Sequence, residues 1–221
     1  MCRKIKNYIA TILRPNGKHD FLTKLNDKDK ILDIGCGNHS VREVKRILPE
    51  CNYFGIDIEE YNISTSDKKL MDNFLLVKPE FFSEEIGKLN KKFDAIICAH
   101  NLEHCIHRNK ALIAMLGRLK DGGRIYLSFP CKESVSFPHR KGTLNYFDDK
   151  THLYNPPDFD EVIDIINASN FEIVFSVRRY RPILLFLLGL IIEPISIFQK
   201  RVYRGTWHFY GFESIIHARK I

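Results

Sequence analysis

"ILDIGCGN" at residues 31–38, with "FGID" at residues 54–57, decides how the rest of the chain is read. An apolar run ending in glycines is a strand entering a tight turn, and "SVREVKRIL" after it has the spacing of an amphipathic helix. Ser40 and Glu43 fit the S-x-x-E capping box expected at that helix start. Gly35 and Gly37 permit the turn and a close approach of ligand to backbone. The helix start offers free N–H groups and a positive dipole end to a carboxylate or phosphate. Asp57 ends the next strand twenty residues after Gly37. Adjacent parallel strands would set its carboxylate beside the turn, within reach of both ribose hydroxyls of an adenosine.

Outward from this unit, strand and helix alternate. "CNYFGIDIEE" reads as a second strand, "NFLLVKP" as a third, "FDAIICAH" as a fourth and "GGRIYLSFP" as a fifth; "ALIAMLGRLKDGG" supplies a helix stopped by glycine. "NPPDFDEVIDIINASN" starts a helix with prolines near its first turn, "FEIVFSV" gives a sixth strand and "HFYGFESIIHARK" a seventh. Strands separated by helices imply a parallel sheet covered on both faces. The chain reads as one domain over residues 1–221, with an N-terminal helical segment at 1–29 and an apolar and basic insertion at 178–207 between the last two strands. The apolar core of that insertion, Ile183 to Ile192, is shorter than the roughly 20 residues that span a bilayer. A helix packed in the core, against a second copy in a homodimer, or on a membrane surface through 183–198 remains.

Composition bounds the class. Hydrophobic residues at 44% and charged residues at 28% describe a globular chain. Six irregularly spaced cysteines suggest reduced thiols in a cytoplasmic setting, with neither a zinc knuckle nor a redox pair. The net charge of +7 favours an anionic partner, or simply a solvated face. "MCRKIKNYIATILRPNGK" lacks the uninterrupted apolar run of a secretory signal and reads as a short amphipathic helix packed across the domain, stopped at Pro15 to Gly17.

Two clusters carry chemistry. "CAHNLEHCIHR", Cys98 to Arg108, spells H-x-x-E-H at His100, Glu103 and His104. As a zinc motif this needs both histidines on one helix and a distant third ligand. Its position at the carboxyl end of the fourth strand places it instead at a ligand crevice, and no metal is expected. The second cluster is the loop Pro130 to Asp158, where His139, Arg140, Lys141, Asp148, Asp149 and His152 offer a base and an anion clamp. "NPPD", Asn155 to Asp158, lacks the aromatic that would stack on a flipped base, which argues against nucleic acid.

"LDIGCGN", "YFGIDIE", "FDAIICAHNLEH", "LKDGGRIYLSFP" and the closing "FYGFESIIHARK" together resemble the class I S-adenosylmethionine-dependent methyltransferases over roughly Lys30 to Val177 and the final strand. The resemblance implies a three-layer α/β Rossmann-like fold with a seven-stranded, mostly parallel sheet and an antiparallel last strand. It implies S-adenosyl-L-methionine as cofactor, with Gly35 and Gly37 at its methionine end, Asp57 on the ribose, Asp33 organising the turn, Glu80 near the adenine amine and His100 lining the cleft. It also implies methyl transfer to a small acceptor, with His152, His104 or His139 as the base. Arg140, Lys141, Asp148 and Asp149 would hold the acceptor, most naturally an oxygen on a phosphorylated, nucleotide-linked or lipid-linked sugar or glycan precursor. The sequence departs from the family in lacking a third glycine, Asn38 and His39 following Gly37. The competing readings are a nicotinamide dehydrogenase, an RNA methyltransferase and a non-catalytic cofactor-binding protein.

Overall fold

The computed structural model describes residues 2–152 and 154–221, with side chains from Asn7 onward in that range. Seven strands form one sheet: β1 (Lys30–Ile34), β2 (Asn52–Asp57), β3 (Asn73–Leu76), β4 (Phe93–Ala99), β5 (Leu119–Pro130), β6 (Phe171–Val177) and β7 (Glu213–Lys220). Their spatial order is β3-β2-β1-β4-β5-β7-β6, and β7 runs antiparallel to both of its neighbours while the other pairings are parallel. The parallel part is what the alternation of strands and helices predicts, and the antiparallel last strand is what the family resemblance implies.

The sheet is buried on both faces because its strands alternate apolar side chains to each side. Leu32, Ile34, Ile96, Ile125 and Leu127 pack with helices α5 (Phe82–Lys88), α6 (Arg108–Gly117) and α7 (Phe159–Ala168). Ile31, Tyr53, Ala95, Ile97 and Tyr126 face the other way, toward α2 (Lys18–Thr23) and α3 (Ser40–Ile47). The remaining helices are α1 (Cys2–Leu13), α4 (Thr65–Leu70), α8 (Ile183–Phe198) and α9 (Thr206–Tyr210).

Several boundaries differ from the sequence reading, each for a local reason. The helix after the fourth strand ends at Gly117, and Gly122 and Gly123 lie within β5. The last strand begins at Glu213, because Thr206–Tyr210 form a helical turn closed by Gly211 in the left-handed region at φ 65°. Pro156 and Pro157 precede α7 rather than entering its first turn; Asp158 caps it by accepting the amides of Asp160 and Glu161. On α1, Tyr8, Ile9 and Ile12 are exposed, so the face expected to pack across the domain is open.

The long loop after β5 is not a solvated tether. Cys131, Phe137 and Leu144 from the loop bury against Phe212, with Val202, Trp207 and Tyr210 around them, as a small core of its own. The insertion docks on this core. Arg140 from the loop is buried against α8, where its guanidinium donates to both carboxylate oxygens of Glu193 at 2.9 and 2.7 Å and to Ser196 Oγ at 2.6 Å. A buried charge needs such full pairing. No helix among the described residues is long and apolar enough to cross a membrane.

Candidate active site

The carboxyl ends of β1, β2 and β4 meet at the glycine turn. Gly35 sits at φ 70°, and a Cβ there would fall 2.3 Å from Asn101 Nδ2, so only glycine fits beneath the turn after β4. Gly37 donates its amide to Asp57 Oδ2 at 2.8 Å, and Ile58 donates to Oδ1 at 2.8 Å. Each carboxylate oxygen keeps an acceptor site for a ligand hydroxyl. Register explains the juxtaposition: Ile34 pairs with Ile56, so the residue after each lies side by side. Burial pushes the Asp57 carboxyl up, against the backbone amides of Ile58, Gly37 and Glu59 that hold it down. Asn38 and His39 take left-handed backbone at φ 53° and 59°, the conformation a further glycine would have supplied.

Asp33 reaches the turn through intermediaries. It is 1% exposed and accepts hydrogen bonds from Ser40 Oγ at 2.6 Å and Tyr53 OH at 2.7 Å. Burial nonetheless raises its pKa. This overturns the capping box at Ser40. His39 is the N-cap and makes no side-chain cap, because the Ser40 hydroxyl is drawn to the buried carboxylate. Neither Tyr53 nor Lys18, whose Nζ lies 2.6 Å from Ser40 Oγ, was signalled by the motif. Glu80 lies exposed in the turn Pro79–Phe81 beyond β3.

The H-x-x-E-H segment is not one helix. His100 has φ 50°, and a short 3-10 turn at Leu102–His104 follows it. His100 and His104 therefore do not share a helical face. The two nitrogens of His100 face buried carboxylates instead: Nε2 lies 2.9 Å from Glu213 Oε1 and Nδ1 lies 3.3 Å from Glu103 Oε1. Burial alone would lower its pKa, but Glu103 and Glu213 raise it to about 10. Glu213, which burial would raise, is held down to about 2 by Arg14 and His100. His100, expected among the cofactor contacts, is thus a charged strut between β4 and β7. Trp207 and Phe212 lie beside its ring at 5.4 and 6.2 Å.

His104 and His152 come together from the two clusters, with ring centroids 4.7 Å apart. His152 is buried, and its Nδ1 donates to the Tyr146 carbonyl at 2.6 Å, because a carbonyl can only accept. Thr151 Oγ1 gives its one proton to Asp149 Oδ1 at 2.6 Å, so His104 Nδ1, 3.0 Å from that hydroxyl, is the donor there. In the neutral imidazole this tautomer carries the lone pair on Nε2 of both rings. Burial lowers the pKa of His152, which keeps that nitrogen free.

The other loop residues divide. Asp148 is taken up by His139 Nδ1 at 2.7 Å and by the amides of Arg140, Leu144 and Asn145, which hold its pKa down although burial would raise it. It builds the loop. Arg140, expected as an anion clamp, has its guanidinium committed to Glu193, Ser196 and Tyr210. Lys141 is exposed, and with His139, Thr143 and Lys200 it lines one open depression.

Comparison with known proteins places this arrangement. A family model described as a methyltransferase domain matches residues 6–175. An uncharacterised protein of Methanocaldococcus jannaschii is 27% identical over 168 residues, covering 69% of this chain and 42% of that protein. A ubiquinone biosynthesis O-methyltransferase of Dechloromonas aromatica is 29% identical over 101 residues, 45% of this chain and 43% of that enzyme. The match thus spans less than half the length of either curated relative. Among solved structures, a SAM-dependent methyltransferase from Archaeoglobus fulgidus superposes with a TM-score of 0.57 at 17% identity, over 99% of this chain and 94% of that one. That likeness is one of fold.

Proposed function

The chain belongs to the methyltransferase-domain family, and from that premise we propose that it is an S-adenosylmethionine-dependent methyltransferase acting on an oxygen of a small molecule. The observation that carries the reading is the presence of two half-sites beyond the carboxyl ends of β2 and β4. Asp57 lies hydrogen-bonded to the Gly37 amide, and two free imidazole nitrogens, His104 Nε2 and His152 Nε2, stand beyond β4.

When bound, S-adenosylmethionine supplies a methyl group on a sulfonium, whose S–C bond breaks as the O–C bond forms. Asp57 would accept the ribose hydroxyls, Gly35 and Gly37 would border the methionine end, and Glu80 would serve the adenine amine. Asp33 keeps α3 and the glycine turn in register through Ser40. An acceptor hydroxyl loses its proton to His152 Nε2 or His104 Nε2, which suits a neutral imidazole near working pH. His139 lies on the rim, already paired with Asp148, and is the weaker candidate base.

The similarity to an O-methyltransferase supports oxygen as the acceptor atom. Lys141 and Lys200 at the open depression suit a phosphate, as in a nucleotide-linked or phosphorylated sugar. A lipid-linked precursor is favoured by a specific feature of α8. Ile183, Leu184, Leu187, Leu190, Ile191 and Phe198 are exposed along it, Phe198 at 89%, a larger apolar face than scattered surface residues explain.

The test is a calorimetric titration with S-adenosylhomocysteine, followed by a screen of sugar-nucleotide and lipid-linked acceptors. Saturable binding near one per chain supports the reading. A folded protein that binds none of it sinks the reading.

A further inference from the structure

We propose that Glu103, His104 and His152 form a binding site for a divalent transition-metal cation at the acceptor end of the cleft. One ligand atom from each lies within 4.8 Å of the others. Ligands about 2.1 Å from a tetrahedral ion stand roughly 3.4 Å apart, so small side-chain rotations close the gap. The trio combines neighbours at the end of β4 with a residue 48 positions on from His104 in the loop after β5.

Two independent observations point to a ligand. Glu103 is 1% exposed, and its Oε2 is buried without a hydrogen-bond partner. Leaving a buried carboxylate oxygen unpaired is costly, and a cation would satisfy it. Second, each of the three side chains keeps a ligand atom uncommitted while its other polar atom is engaged. Glu103 Oε1 is engaged by His100 at 3.3 Å, which leaves Oε2 as the uncommitted oxygen. The Nδ1 protons of His152 and His104 go to the Tyr146 carbonyl and to the Thr151 hydroxyl backed by Asp149, so each Nε2 lone pair is free. Metal-bound histidines characteristically donate their other N–H in this way.

Two imidazole nitrogens and one carboxylate oxygen suit Zn²⁺, Fe²⁺, Co²⁺ or Mn²⁺ better than Mg²⁺ or Ca²⁺. Three protein ligands leave positions open for water or an acceptor oxygen. The role in catalysis rests on the methyltransferase reading: the cation binds the acceptor hydroxyl and lowers its pKa, and the proton leaves to solvent as the O–C bond forms. With the cation bound, His104 and His152 act as ligands; the role as base belongs to the metal-free chain. The site itself stands apart from that reading, since metal binding is measured without turnover.

The experiment is a titration of the metal-stripped chain with Co²⁺, read by its visible absorption, alongside S-adenosylhomocysteine binding on the same samples. The expected result is one Co²⁺ per chain. Glu103→Gln, His104→Ala and His152→Ala should each weaken it at least about 10-fold while still binding S-adenosylhomocysteine, and His107→Ala, at the exposed start of α6, should not. Absence of saturable Co²⁺ binding, or binding untouched by both histidine variants, overturns the site. Turnover that survives exhaustive chelation overturns the catalytic role and returns the proton to an imidazole. Loss of S-adenosylhomocysteine binding in the unmodified chain counts against the methyltransferase reading alone.

Discussion

The proposed function gives Asp57 to the cofactor and His152 to the acceptor, and single substitutions should separate the two roles. Asp57→Ala removes the acceptor for the ribose hydroxyls and for the Gly37 amide. S-adenosylhomocysteine affinity should fall by roughly 10-fold or more, as the loss of charge-assisted hydrogen bonds worth about 1.5–3 kcal/mol implies. His152→Ala should leave that affinity unchanged and lower turnover about 100-fold or more. Equal loss of cofactor affinity in both variants would show the division to be wrong. The buried charges also set a pH profile. His100, raised to about 10 from an ordinary 6.5, contributes stability that is complete below about 6.5 and lost as pH rises through 10. His208 and His217, lowered by burial to about 4, act in the opposite sense. The unfolded chain takes up their protons first, so stability falls as pH drops from 6.5 toward 4. Thermal melts across pH should therefore peak near neutrality, and His100→Gln should flatten the alkaline limb while leaving the acid limb in place.

Helix α8 shows how an element can be apolar on nearly every side and still have a defined inner face. Leu185, Gly189, Glu193 and Ser196 recur at helical spacing and are its buried positions. At Gly189 a Cβ would lie 2.3 Å from the Gly205 carbonyl oxygen and 2.7 Å from Phe209 Cβ. Gly189→Ala should therefore cost about 1–3 kcal/mol by overpacking, read as a lower Tm. Gly87 in α5 meets nothing within 4 Å, and Gly87→Ala should stabilise by about 0.5–1 kcal/mol. The glycine turn was legible at this scale because its signals are local: two glycines, an acid before them and an acid ending the next strand. The H-x-x-E-H segment was legible only in part. Its spacing suggests one helix, but the chain must leave β4 sharply, and His100 at φ 50° breaks the period before Glu103 and His104 are reached.

Across the whole molecule, α8 with its exposed apolar face touches α1, on which Tyr8, Ile9 and Ile12 are exposed, in a chain of net charge +7. An exposed apolar face on a positively charged chain suits an anionic lipid surface. The chain should co-sediment with vesicles rich in anionic lipid, weakly with neutral ones, and Ile191→Asp with Phe198→Asp should abolish the association without altering S-adenosylhomocysteine binding. Co-sedimentation unchanged in that double variant would remove the lipid reading and leave a protein partner for this face.

The sequence by itself determined the alternating elements, the sheet they build and the position of the glycine turn against Asp57. Those follow from hydrophobic period, turn chemistry and the register of neighbouring strands, which act over a few residues. Only the tertiary structure decided what the charged side chains do. Arg140 and Asp148 lie in the same polar loop as His152, yet the first is consumed by Glu193 and the second by His139 and three amides, while His152 is brought to His104 and Glu103. Those outcomes depend on partners far away in the chain, because a buried charge or imidazole must be satisfied by whichever group the fold sets beside it.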